Sequence, residues 1–118
     1  MKEKMELHSH LTLRDEGGKL WLVGEISIHV GNRRARVFNA RLSMKPGQLI
    51  LSDKRKRQVA DVGFASGEPS DPFGKWAFSV MKNLGCGIMH HYPKMDVGSS
   101  ISSDEVINGL PSCVFKVA

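Results

Sequence analysis

Three consecutive stretches in the first 44 residues place apolar side chains at every second position, a period that a β-strand satisfies and a helix does not. In the first, Glu6 to Arg14, Leu7, Leu11 and Leu13 alternate with His8, His10, Thr12 and Arg14. The second, Lys19 to Val30, sets Leu20, Leu22, Ile26, Ile28 and Val30 against Trp21, Val23, Glu25, Ser27 and His29, with Gly24 as a candidate bulge. The third opposes Phe38, Ala40, Leu42 and Met44 to Val37, Asn39, Arg41 and Ser43. Asp15-Glu16-Gly17-Gly18 and Gly31-Asn32-Arg33 read as turns between them, so the three runs predict an antiparallel meander.

The pattern also predicts a register. A three-residue loop after Val30 pairs Val30 with Arg34, Ile26 with Phe38 and Leu22 with Leu42, which keeps apolar partners on one side. Carried into the first run, the polar face has His8, Glu25 and Asn39 in one row, His10, Val23 and Arg41 in the next, and Thr12, Trp21 and Ser43 in the third. Trp21 then stands exposed on a polar face, where it can stack on a base, unless another element covers it.

Pro46-Gly47 opens a turn into a strand at Gln48 to Ser52, and the charged tip Asp53 to Gln58 leads into another at Val59 to Ala65. Asp71 as N-cap and Pro72 at the first helical position begin a helix whose apolar stripe is Phe73, Trp76, Ala77, Val80, Met81 and Leu84, with Gly85 placed to end it. Beyond it, Ile88 to Tyr92 reads as extended and Ser102-x-x-Glu105 as a capping box for a very short helix stopping at Gly109 and Pro111. Ser112 to Ala118 reads as a closing strand.

A chain of 118 residues, 41% of them hydrophobic, has enough apolar material for one core and not for two, so residues 1–118 are expected to form a single β-rich domain. No apolar run approaches the length of a membrane span and no signal core follows Met1, which points to a cytoplasmic protein with no membrane contact. Cys86 and Cys113 are read as reduced and structural, and neither belongs to a Cys-x-x-Cys pair. The excess of 17 Lys and Arg over 12 Asp and Glu, a formal charge of +5, favours anionic partners.

Two clusters concentrate that charge. Lys54, Arg55, Lys56 and Arg57 crown the second hairpin, where four cations suit a phosphate backbone or, more simply, shield a sheet edge from pairing. Arg33, Arg34 and Arg36 form another group between the second and third strands, and Arg41 and His10 line the face that carries Trp21. His8-Ser9-His10, with Glu25 beside His8, makes a metal site conceivable, and Leu7-His8-Ser9-His10 is similar to the opening of certain metal-dependent phosphoesterases. The additional His and Asp ligands such enzymes need are not placed, and His90-His91 would point to opposite sides of a strand. Neither a nucleophile elbow nor a phosphate-cradling Gly-rich loop occurs, so the expectation is a protein that is not an enzyme and uses no metal or cofactor.

The order of landmarks resembles phage-type single-stranded DNA-binding proteins with an oligonucleotide-binding (OB) fold. The matching pieces are Leu20 to Val30, Gly31-Asn32-Arg33-Arg34-Ala35-Arg36-Val37-Phe38, Trp76 to Leu84-Gly85, and Asp104 to Gly109 followed by Val114-Phe115-Lys116-Val117. The hairpin from Gly47 to Ala65 is an addition to that pattern. The meander and the basic phrase before the helix are also similar to the SpoVG family of nucleic-acid-binding sporulation regulators. The resulting expectation is an α+β, β-rich fold, an antiparallel meander or partly open OB-like barrel with one amphipathic helix packed on it. Its expected function is non-catalytic binding of single-stranded nucleic acid, through Trp21, Arg33, Arg34, Arg36, Arg41, Lys54, Arg55, Lys56 and Arg57. The alternative is a small phage- or plasmid-type inhibitor or accessory protein docking on an acidic protein; either function is compatible with a homo-oligomer.

Overall fold

The structure, a computed structural model, describes residues 4–31, 35–44, 47–88 and 95–108. The expected meander is present and longer than the pattern implied. Strands β1 (Lys4–Glu16) and β2 (Lys19–His29) form a hairpin joined by Gly17 and Gly18 alone. Both glycines have positive φ, 62° and 87°, as a two-residue turn matched to strand twist requires. Asp15 Oδ1 accepts the Gly18 N–H at 3.0 Å and fixes the turn from its flank.

This tight turn corrects the predicted register on the polar face. With Glu16 opposite Lys19, His10 faces Glu25, Thr12 faces Val23 and Arg14 faces Trp21, each two positions from expectation. A slip of two preserves side-chain parity, so the apolar rows remain on the same face. Gly24 is no bulge either: pairing runs unbroken through it, and a Cβ there would collide with the His10 carbonyl oxygen.

Strand β3 (Arg36–Met44) pairs with β2 as the pattern predicts, Ile26 opposite Phe38 and Leu22 opposite Leu42. Strands β4 (Gly47–Ser52) and β5 (Gln58–Gly63) complete a five-stranded antiparallel meander, with a register shift at Leu51/Ser52 beside the basic tip. Asp71 then caps helix α1 (Pro72–Ile88), its Oδ2 accepting the Gly74 N–H at 2.8 Å. The helix does not stop at Gly85. Met81, Leu84 and Ile88, all at most 2% exposed, keep three- and four-residue spacing toward the core, and that burial carries the helix one turn past the glycine.

The capping box at Ser102 and Glu105 starts no helix. Those residues belong to β6 (Ser100–Asn108), which pairs antiparallel with β1 from Ser100 opposite Thr12 to Asn108 opposite Lys4. A long strand at a sheet edge leaves a row of backbone donors and acceptors unpaired, and filling that row outweighs a local capping preference. The sheet order is β5-β4-β3-β2-β1-β6. It is one open sheet with β5 and β6 at opposite edges, and the described strands close no barrel. His90, His91 and the predicted strand at 112–118 lie outside the described residues.

Helix α1 covers one face of the sheet. Phe38 of β3 meets Phe73 and Trp76 with ring centroids 6.0 and 6.2 Å apart, and Trp76 Nε1 donates to Met5 Sδ of β1 at 3.2 Å. Leu7, Leu11, Leu13, Leu22, Ile26, Ile28, Leu42, Leu49 and Leu51 fill the rest of this layer at 0–2% exposure. The other face carries Trp21, His10, Asn39 and Arg41.

Candidate functional site

Strand directions bring Arg36 and the basic tip to one end of the sheet. β3 begins where β2 ends, Ile28 opposite Arg36, and β4 runs toward the same end, its last residue Ser52 opposite Asn39. The start of β3 and the β4–β5 tip therefore lie at one end of the sheet, on strands β3 and β4 that are neighbours, roughly 5 Å apart. Arg33 and Arg34 of the β2–β3 connection lie outside the described residues. Arg36 is half-buried, its Cζ 5.8 Å from the Phe38 ring centroid at the margin of the core.

Asp53 organises the tip. Its Oδ1 accepts the backbone N–H groups of Arg55 and Arg57, both at 2.9 Å, and its Oδ2 accepts Arg57 Nε at 2.9 Å. Backbone bonds from Asp53 N–H to the Arg57 carbonyl and from Lys56 N–H to the Asp53 carbonyl, each 2.9 Å, close the loop. The Arg57 N–H, assisted by its guanidinium and by the Arg55 N–H, holds the Asp53 carboxyl below its ordinary value of 3.8. Lys56 occupies the left-handed region at φ 64°, a conformation costing a non-glycine residue roughly 1–2 kcal/mol, which the surrounding hydrogen bonds offset. Lys54, Arg55 and Lys56 project from this frame, exposed and in no ion pair among the described residues. Arg57 spends its Nε on Asp53 while its side chain stays 59% exposed.

Trp21 lies on the outer face as predicted, but it is not exposed. It retains 9% of its accessible surface, and two cationic side chains lie at its ring. Lys19 Nζ lies 4.5 Å and Arg41 Cζ 4.8 Å from its ring centroid, and Arg41 is held there by Glu16. The Arg41–Glu16 pair is bidentate, 3.0 Å from one guanidinium nitrogen and 2.6 Å from the other, and the contact lowers the Glu16 pKa below 4.5 while raising that of Arg41. Arg14 stands opposite Trp21 on β1. Of the residues named from the sequence, the structure brings Trp21 and Arg41 together, and it joins to them Glu16 and Lys19, which the sequence reading did not name as site residues; Asp53, the organiser of the tip, was likewise not named as one. The alternation Glu16, Lys19, Trp21 was readable; the reach of Arg41 across β2 to Glu16 was not.

The predicted His8, His10 and Glu25 grouping does not assemble. Glu25 faces His10, whose Nδ1 lies 2.6 Å from Ser102 Oγ, whereas the His8 ring packs edge-on against His29 at 4.7 Å and its Nε2 lies 3.5 Å from Glu6. No group of three His, Cys, Asp or Glu able to hold a metal occurs among the described residues.

A second surface lies on the helix side at the opposite end. Leu42, Met44, Phe64, Met81 and Lys82 line an apolar groove of about 260 Å³ between α1 and the β3–β4 end. Phe64, 58% exposed, lies over Gly47, where any Cβ would strike its ring, and packs edge-on against Phe78 at 5.6 Å. No helix among the described residues is long and apolar enough to cross a membrane. Comparison with protein-family models, with curated proteins and with solved structures finds no match for the chain.

Proposed function

We propose that this chain is a non-catalytic protein that binds single-stranded nucleic acid, with the basic end of the sheet as its phosphate-contacting rim. The observation that carries the reading is the basic tip at the end of the sheet where β3 begins with Arg36, with three cations that make no ion pair among the described residues projecting from a hydrogen-bonded frame. Lys54, Arg55 and Lys56 are the principal contacts, and Arg57 and Arg36 add to the same field. A preformed cationic rim neutralises phosphates and releases their counterions without first ordering a loop. Fluorescence anisotropy with an oligothymidine at two salt concentrations tests this. The log–log slope with salt is expected to be about 0.7 per phosphate neutralised, and alanine at positions 54, 55 and 56 together should reduce it by about 2. Binding that ignores salt, or no binding, sinks the reading.

A second reading, a small accessory or inhibitor protein of phage or plasmid type, draws on the groove beside Phe64. An exposed aromatic next to an apolar cleft is a feature of protein-docking surfaces. Phe64→Ser separates the two: it leaves oligonucleotide affinity unchanged if the basic rim is the working surface.

A further inference from the structure

The patch around Trp21 combines features that no core requirement explains. A tryptophan lies on the face of the sheet opposite α1, outside the hydrophobic core cluster, and three cations surround it: Arg14 across the strand pair, Lys19 and Arg41 at its ring. The charge concentration of the patch is masked by one bidentate carboxylate, Glu16. Asp15, the neighbouring carboxylate, is engaged with the Gly18 backbone in the turn.

A guanidinium fork accepts a carboxylate and a phosphate in the same two-point geometry. We propose that Glu16 is a built-in competitor for phosphate: its carboxylate holds Arg41 closed over Trp21, and a nucleotide unit of a single strand opens the patch by taking Arg41 on its phosphate and the indole face on its base. The proposal rests on the nucleic-acid reading above and adds a second contact point to it. Its occupant is a single-stranded nucleic acid because the uncovered patch offers three cations and one aromatic face together, the pairing that binds a backbone and its bases and that an acidic peptide would use only in part.

Two features make opening feasible. The Arg41 and Glu16 side chains are 37% and 43% exposed, so their pair is hydrated and exchangeable and not locked in the interior. The patch also lies close to the basic tip: Arg41 of β3 pairs with Ile50 of β4, two residues or roughly 7 Å before Ser52, where the tip begins, a span that a few nucleotides of single strand cover. The rim then supplies attraction, and the Trp21 patch supplies a contact that duplex DNA, with its bases stacked, cannot make.

The test compares Glu16→Gln with Glu68→Gln, which removes the same charge from an exposed loop. Oligothymidine affinity is measured for both, together with the Nε1–H NMR signals of Trp21 and of Trp76, whose burial between α1 and the sheet makes it an internal reference. Glu16→Gln should bind roughly threefold to tenfold more tightly than wild type, while Glu68→Gln stays close to wild type. The Trp21 signal alone should shift on binding. Without nucleic acid, Glu16→Gln should already raise the acrylamide-quenchable emission, and Trp21→Phe should abolish that increase. If wild type binds oligothymidine but the two glutamine variants behave alike and the Trp21 signal stays still, the competitor role is wrong and the rim reading stands. If neither wild type nor variant binds, the rim reading fails and the competitor role goes with it; unchanged quenching in Glu16→Gln overturns the lid by itself.

Discussion

The tip and the Trp21 patch contain the same ingredients, a carboxylate among several cations, yet they present them in opposite ways. At the tip, Asp53 binds mainly backbone N–H groups, so the cationic side chains are left to project. At the patch, Glu16 binds the guanidinium itself, so the cation is occupied and the aromatic beneath it is hidden. Where a carboxylate attaches, and not how many charges surround it, decides whether a basic cluster is available. Net charge alone treats the two clusters as equivalent.

The widest separation between them should come from two variants that change net charge identically. Asp53→Ala and Glu16→Ala each remove one negative charge. Charge counting predicts tighter binding for both; the structure predicts that Asp53→Ala weakens oligothymidine binding several-fold as the tip loses its frame, while Glu16→Ala strengthens it. Anisotropy titrations at one low salt concentration, with trypsin cleavage at Lys54 to Arg57 as a check on tip order, decide between these.

A smaller contrast lies in how the two carboxylates titrate. Both pKa values are depressed, so each contributes stability that is present above its ordinary value, 3.8 for Asp53 and 4.5 for Glu16, and that is lost as pH falls through the lower folded value. The leading cause differs: a backbone N–H of Arg57 for Asp53, and the side-chain hydrogen bond from Arg41 for Glu16. Added salt should therefore move the Glu16 midpoint toward 4.5 and leave that of Asp53 nearly fixed. Carboxyl carbon NMR titrations at low and high salt measure both in one sample; parallel movement would erase the distinction.

The smallest expected effect is at Lys56. Replacing it with glycine relieves the positive φ and should stabilise the fold by about 0.5–1 kcal/mol in urea denaturation, while lowering the salt slope by about 0.7. A loss of stability would mean that the lysine side chain supports the tip it was taken to burden.

Most of the β-rich architecture was legible because burial on one face imposes a period of two, and the apolar rows of β1, β2 and β3 obey it without exception at Leu11, Leu13, Leu22, Ile26, Phe38 and Leu42. The β1–β2 register was not, since Asp-Glu-Gly-Gly reads as a four-residue turn although only the glycines leave the strands. The capping box within β6 misled for a related reason: a local signal competed with the open edge of β1, which is invisible until the sheet is assembled. For the site, the positions of Trp21 and the tip cations could be read from parity and charge. The closure of Trp21 could not, because its lid comes from Glu16 and Arg41, 25 residues apart in the chain and on strands that flank β2 from opposite sides.

The frame built by Asp53 has a consequence for how this protein can change over generations. Because the loop is closed by backbone groups and one carboxylate, the identities of residues 54 and 55 are nearly free of folding constraint, and position 56 asks only for tolerance of a left-handed backbone. Such a tip is an interchangeable head on a fixed mount. Selection can rewrite what it touches, one side chain at a time, without renegotiating the shape that presents it.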